Sequence, residues 1–377
     1  MKGKQGLVCM GLLLVLSSCH TGKQITASGL QRKDFQTEVN GQHTDLFTLS
    51  NKQGMEVCIT NYGARVVSIL VPDRNGKRED VVCGFSTITE YMEQRQNFGS
   101  TVGRYIGRIL NARFTLDGVE YKLVPNNGKS GHISHGGNPG FADRIWKVEQ
   151  ADTHRVRLSY LSPDGENGFP GNLKVTLVYS LGEDDNALDL TYEATTDAPT
   201  VLNLSHHSFF NISGNFTKSV EDQQLWVDAD RFTPYDDKKC VTGEYLPVAG
   251  TPLDFRMPHA IGECIDADHP QLKVVNGYDH TWELNTKGDD TRPAAWVYDP
   301  ASGRKMEIFT TEPGMQIYTG NGLKGKMTGK GGIAYPFRSA VCFETMHFQD
   351  SPNQPGFPST VLRSGEVFRS HTVYKFE

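Results

Sequence analysis

Apolar and polar residues alternate in short runs along most of the chain, and each run stops at a turn signal. Residues 57–61, 65–71, 121–124, 156–161, 173–181, 187–194 and 201–210 keep a period of two, which sends successive side chains to opposite faces of a strand. Asp117-Gly118, Pro163-Asp164-Gly165, Asn276-Gly277 and Ser302-Gly303 supply the breaks between runs. Residues 88–97 alone suit a short helix. The pattern predicts an all-β protein, a large antiparallel β-sandwich rather than a barrel. No linker-like change of composition follows residue 35, so residues 35–377 are expected to form one large domain.

The first residues follow a different rule. Lys2 and Lys4 precede the apolar stretch Leu7 to Leu16, and Leu16-Ser17-Ser18-Cys19 follows. Basic, then apolar, then small is the shape of a secretory signal over residues 1–18, and the apolar stretch is too short to span a bilayer. Leu-Ser-Ser-Cys resembles a bacterial lipobox, which makes Cys19 the expected lipid-attachment residue and residues 19–34 a flexible tether. The expected location is the bacterial cell envelope, lipid-anchored and facing the periplasm.

Composition narrows the partners. The formal charge is −6 and the basic residues are scattered, which argues against nucleic acid as a partner. The membrane enters only through the lipid anchor. Beyond Cys9 and Cys19 there are five cysteines, Cys58, Cys83, Cys240, Cys264 and Cys342, without short metal-type spacing. Cys58, Cys83 and Cys342 sit in apolar runs and read as core thiols. Cys240 and Cys264 are the pair an oxidising compartment would allow to bond.

Glu344 is the chemical anomaly. It lies in the middle of the strand-like run Ala340-Val341-Cys342-Phe343-Glu344-Thr345-Met346-His347-Phe348. An ionised carboxylate there costs several kcal/mol or more unless it is paired or its pKa moves, so it is either neutralised or kept for proton chemistry. A second polar anomaly lies in residues 201–210, where Asn203, Ser205 and His207 share one face and Leu202, Leu204 and His206 the other. The polar face suits a cleft, although a single histidine is as readily structural. Adjacent histidines point apart, and no His-Glu-x-x-His or Cys-x-x-Cys pattern is present, so no metal site is expected. His132-Ile133-Ser134-His135-Gly136-Gly137 is a glycine-rich loop where backbone can approach a ligand. Asn276-Gly277-Tyr278-Asp279-His280 reads as a turn, and Arg104 and Arg108 as surface ion-pair residues.

Nine segments in chain order resemble the aldose 1-epimerase (galactose mutarotase) family: 103–114, 134–137, 165–171, 203–211, 230–234, 251–256, 276–280, 318–321 and 343–353. The resemblance runs from about residue 35 to the end. It implies a β-supersandwich and a cofactor-free interconversion of the α and β anomers of free hexoses such as glucose and galactose. Matched residue by residue, it implies Glu344 as general base and His207 as general acid. It also implies that His135, Asp279 and Arg108 bind the sugar. The roles require an ionised Glu344 and a protonated His207, a state their mutual attraction would favour. Gly107 stands where the family usually has asparagine, which removes one expected sugar contact, and His206 stands where relatives often have asparagine. A glycosidase using Glu344 and Asp279, or a non-catalytic carbohydrate-binding protein on the same fold, are the competing readings.

Overall fold

Residues 173–181 bury every second side chain, and they form the strand Leu173–Leu181. Its inward residues Leu173, Val175, Leu177 and Tyr179 join those of Arg155–Ser162 and Ala187–Thr196, with which it pairs in antiparallel register. Pairing spreads outward into a nine-stranded sheet. Its order is Lys147–Ala151, Arg155–Ser162, Leu173–Leu181, Ala187–Thr196, Phe368–Phe376, Lys305–Thr310, Ala295–Tyr298, Gln224–Val227, His259–Ala260. One face is dry and the other meets solvent, so the period of two survives in the sequence. The computed structural model describes residues 24–377; the expected signal segment and Cys19 lie outside the described residues.

Two further antiparallel sheets form the second layer. One holds Leu46–Ser50, Glu56–Thr60, Arg65–Pro72 and Arg78–Asp80. The other runs Phe209–Phe210, Val341–Met346, Gly314–Tyr318, Asp279–Glu283, Arg231–Thr233, Leu246–Pro247, and a Val82–Phe210 bridge links the two. Val57, Ile59, Ile69, Ile317, Val341 and Phe343 share one core with the nine-stranded sheet. Burying a side chain of this size is worth about 1.5–3 kcal/mol, so this interface carries most of the stability. Val341–Met346 is buried at every position. Its alternate residues Cys342, Glu344 and Met346 therefore face away from that core, towards the outer side of the second layer.

Several expectations change at this level. The run 201–210 is three short strands, Thr200–Val201, Ser205–His207 and Phe209–Phe210, each paired with a different partner. Its two faces nonetheless persist, with Leu202, Leu204 and Phe210 in the core. The helix is Ile88–Gln94, closed at its start by a Thr87–Glu90 capping box and at its end by Arg95 in the left-handed region. Asn276 is not a hairpin turn residue: it caps the short helix Pro270–Val275 at φ 61° and feeds the strand Asp279–Glu283. Residues 24–34, expected to continue a tether, lie against the domain. Thr26 and Leu30 are buried, and the Ala27 N–H donates to the Glu56 carboxylate at 2.6 Å. Cys240 and Cys264 are free thiols and do not bond to each other. Among the described residues no helix is long and apolar enough to cross a membrane.

Arg104 is not at the surface. It is 2 % exposed and donates to the carbonyls of Pro170 at 2.7 Å, Gly171 at 2.9 Å and Pro163 at 3.1 Å, and to the Ser162 hydroxyl. The guanidinium thus ties the 163–171 turn to the segment that leads into Arg108, and burial pushes its pKa down to about 10. Arg104→Met would leave these carbonyls without a donor. Each buried orphan costs about 1–3 kcal/mol, so urea denaturation should show a loss of about 3 kcal/mol or more.

Candidate active site

Strand register builds the site. Glu344 lies opposite Gln316 in one pair, and Tyr318 lies opposite Asp279 in the next. Directly opposed residues share a face, and so do residues two apart. Glu344, Gln316, Tyr318 and Asp279 therefore project from three adjacent strands into one cleft of about 260 Å³. Met346 of the same strand as Glu344 adds to the wall, the short paired strands Arg108–Ile109 and Ile133–Ser134 bring Arg108 and Ser134, and loops bring Gln96, Asn97, Gly107, His135 and Gln349.

His207 arrives from the strand Ser205–His207. Its Nε2 lies 3.1 Å from Glu344 Oε1, and its Nδ1 faces the Cys342 thiol at 3.6 Å. The ring stacks on Phe209 with centroids 5.1 Å apart and meets His135 edge-on at 5.5 Å. What fixes it against Glu344 is Asn203. Its amide donates to the His347 carbonyl at 3.0 Å, and its amide oxygen accepts the His347 N–H at 3.0 Å. Asn203 was expected to face the cleft with His207; it clasps instead the two chain segments that carry the pair. Ser205 also lies away from the cleft wall, so only His207 and Phe209 of that face reach it. His206 is buried on the opposite side, near the rings of Tyr179 and Tyr374, and burial pushes its pKa down to about 3.

The remaining expected site residues converge on the same cleft. Asp279 Oδ1 accepts from Gln316 Nε2 at 2.6 Å. His135 stands at φ 53°, and its N–H donates to the Gly107 carbonyl at 2.9 Å. Its Nδ1 lies 3.5 Å from the Gly107 N–H, so the neutral ring carries its hydrogen on Nε2. Burial, with Arg108 nearby, holds the His135 pKa down at about 4. Arg108 pairs in register with Ser134, which anchors it beside the histidine loop.

Electrostatics corrects one expectation. Attraction between Glu344 and His207 was expected to hold them as an ion pair. Burial acts more strongly: it pushes Glu344 well above the usual carboxylate range, with Asp279 adding to the rise. It likewise pushes His207 well below the usual imidazole range, with His135 adding to the fall. Both shifts favour the neutral pair over the ion pair. That neutral pair and the ion pair the chemistry uses are two placements of the same proton across 3.1 Å.

His207, Cys342 and Glu344 offer ligand-type atoms within 4.8 Å of one another. The imidazole, however, presents different nitrogens to the thiol and to the carboxylate. The imidazole thus bridges the thiol on one side and the carboxylate on the other.

Gln316, Tyr318, Gln349, Met346, Gln96 and Asn97 also line the cleft and were not singled out from the sequence as site residues. Gln316 carried a signal of the same kind as Glu344, a polar residue inside the apolar run Gly314–Tyr318. Asn321, part of a family-like segment, supports rather than lines the site: its amide donates to the Tyr278 carbonyl at 2.9 Å, just before Asp279.

The aldose 1-epimerase family model matches residues 45–375. Galactose mutarotase from Sus scrofa is 38% identical over 330 residues, covering 88% of this chain and 93% of that protein. Aldose 1-epimerase from Escherichia coli K12 is 36% identical, covering 89% of this chain and 96% of that one. Among solved structures, an aldose epimerase homologue from C. elegans superposes with a TM-score of 0.81 at 30% identity, over 89% of this chain and 99% of that one. The chain belongs to the aldose 1-epimerase family, and its antiparallel sandwich is the galactose mutarotase-like fold. It is an isomerase, acting as an aldose epimerase.

The charge of Asp279 helps keep Glu344 protonated. Asp279→Asn removes that charge, so Glu344 should ionise at lower pH. The acid limb of the kcat–pH profile should then move to lower pH, whatever the change in its height.

Proposed function

We propose that the enzyme interconverts the α and β anomers of a free hexose, with glucose and galactose as substrates. The observation that supports this most is the buried Glu344–His207 contact of 3.1 Å on a cleft walled by hydroxyl-reading groups, Asp279, Arg108 and His135. Ring opening needs one group to remove the proton from the anomeric hydroxyl and another to protonate the ring oxygen as the C1–O5 bond breaks. Glu344 takes the first proton and His207 delivers the second. The open aldehyde turns about C1–C2, and closure runs both transfers in reverse. The proton count of the pair is the same before and after, so the cycle needs no exchange with solvent. Each transfer is worth roughly 10²- to 10⁴-fold. Asp279, Arg108 and His135 hold ring hydroxyls so that O1 and O5 meet the pair in reacting geometry.

Polarimetry of freshly dissolved α-D-glucose and α-D-galactose tests the assignment. The enzyme should accelerate the approach to anomeric equilibrium for at least one sugar; no acceleration over buffer for either defeats it. Glu344→Gln should lower kcat by about 10³-fold while calorimetry still registers sugar binding.

We further propose that Cys19 carries lipid and anchors the enzyme in a bacterial cell envelope, facing the periplasm. The support is the Leu16-Ser17-Ser18-Cys19 sequence behind a basic and apolar leader. Cys19→Ala in the full-length chain should move the protein from the detergent phase to the aqueous phase on Triton X-114 partition. An unchanged partition would refute the anchor.

A further inference from the structure

Gly107 and Gln349 occupy one space. Gly107 has φ +76°, and a Cβ on it would stand 2.6 Å from Gln349 Cγ and 3.1 Å from Gln349 Cδ. The Gln349 side chain therefore fills the volume that any other residue at position 107 would claim. It is 4 % exposed and still forms part of the cleft wall, beside Arg108 and Gln316.

Its hydrogen bonds orient the amide. Gln349 Nε2 donates to the Tyr235 hydroxyl at 2.7 Å and to Gln316 Oε1 at 3.3 Å. Gln349 Oε1 faces the Arg108 N–H at 3.3 Å and Arg108 Nη1 at 3.5 Å. Arg108 offers only donors, so the amide oxygen has to be the end turned towards it. The cleft wall thus carries a donor, Arg108 Nη1, and an acceptor, Gln349 Oε1, 3.5 Å apart. That is long for a direct bond, but one hydroxyl oxygen can sit about 2.8 Å from both. A sugar hydroxyl needs such a partner on each side, because it accepts from one group and donates to another.

We propose that Gln349 is a substrate-binding residue, which reads one ring hydroxyl jointly with Arg108, and that glycine at position 107 is what admits it. The inference rests on the reading of the cleft as a hexose site, and it supplies from residue 349 the carboxamide that the sequence lacks at residue 107. The enzyme's preference among hexoses would then be set by the hydroxyl at that one ring position, because leaving Arg108 and Gln349 without their shared partner is costly.

Binding of glucose and its 2-, 3-, 4- and 6-deoxy analogues tests the proposal, measured by calorimetry in a Glu344→Gln background where no turnover intervenes. One deoxy sugar should bind about tenfold more weakly than glucose. Adding Gln349→Ala should weaken glucose binding about tenfold and abolish the penalty for that one analogue, leaving the other penalties intact. Adding Gly107→Asn to Gln349→Ala should restore a carboxamide from the other side and recover at least part of the discrimination; asparagine tolerates the left-handed backbone there. Thermal melting confirms that each variant is folded. If every deoxy penalty is the same with and without Gln349, the residue only supports the wall and the proposal is wrong. Polarimetry of the parent enzyme reports separately on the epimerase reading, so the two failures are distinguishable.

Discussion

A carboxylate and an imidazole held 3.1 Å apart out of water is the constraint around which this molecule is arranged. Neither group is comfortable in its charged form there, and burial moves the two pKa values in opposite directions, towards a pair that shares one proton. Such a pair persists only if its spacing cannot relax. Glu344 is fixed by a strand buried at every position, between the core on one side and the cleft on the other. His207 sits on a short strand paired with Ser100–Val102, and Asn203 clasps that segment to the backbone just beyond Glu344. The large nine-stranded sheet contributes no cleft residue; it is the floor that keeps the second layer flat and rigid enough to hold the geometry.

The groups proposed to read hydroxyls come from two kinds of element. Asp279, Gln316 and Glu344 are placed by sheet register, which tolerates little error, because a slip of one residue in any of their three strands would turn its side chain away from the cleft. His135 and Gln349 come from loops, and Arg108 from the two-residue strand Arg108–Ile109, gathered by local hydrogen bonds around Gly107. In the proposed function, an acid–base pair set by sheet register beside a reading surface gathered around Gly107 separates the reaction from the choice of substrate. Changes around Gly107 would then retune which hexose is preferred without disturbing the proton transfer.

How much of this the chain announces depends on which faces meet water. Residues 173–181 show their alternation openly because one face of that sheet is wet, and the strand boundaries match the pattern. In Glu56–Thr60 and Val341–Met346 both faces are covered and the alternation vanishes. There the informative residue is the one that does not belong, Glu344. The break of 201–210 into three strands is set by three partners distant in sequence, which no local pattern records. His135, Asp279 and Arg108 were legible through the family resemblance, and all three line the cleft. Gln349 was not legible, because its position depends on a missing Cβ more than two hundred residues away. Asn203 was visible but assigned to the wrong task, since polarity on a strand face does not distinguish a cleft residue from a clasp.

The folded segment at the N-terminus sets how far the enzyme can stand from a bilayer. Ala27 and Leu30 are docked on the domain, and Ala27 stands eight positions after Cys19. In the proposed lipid-anchored form those eight positions span at most about 28 Å. The domain would then be held on a short leash, within about four Debye lengths of the headgroups, and would sample only the thin film of water next to the membrane. Sugars would be met as they cross that film, at the concentration of the boundary rather than of the bulk compartment.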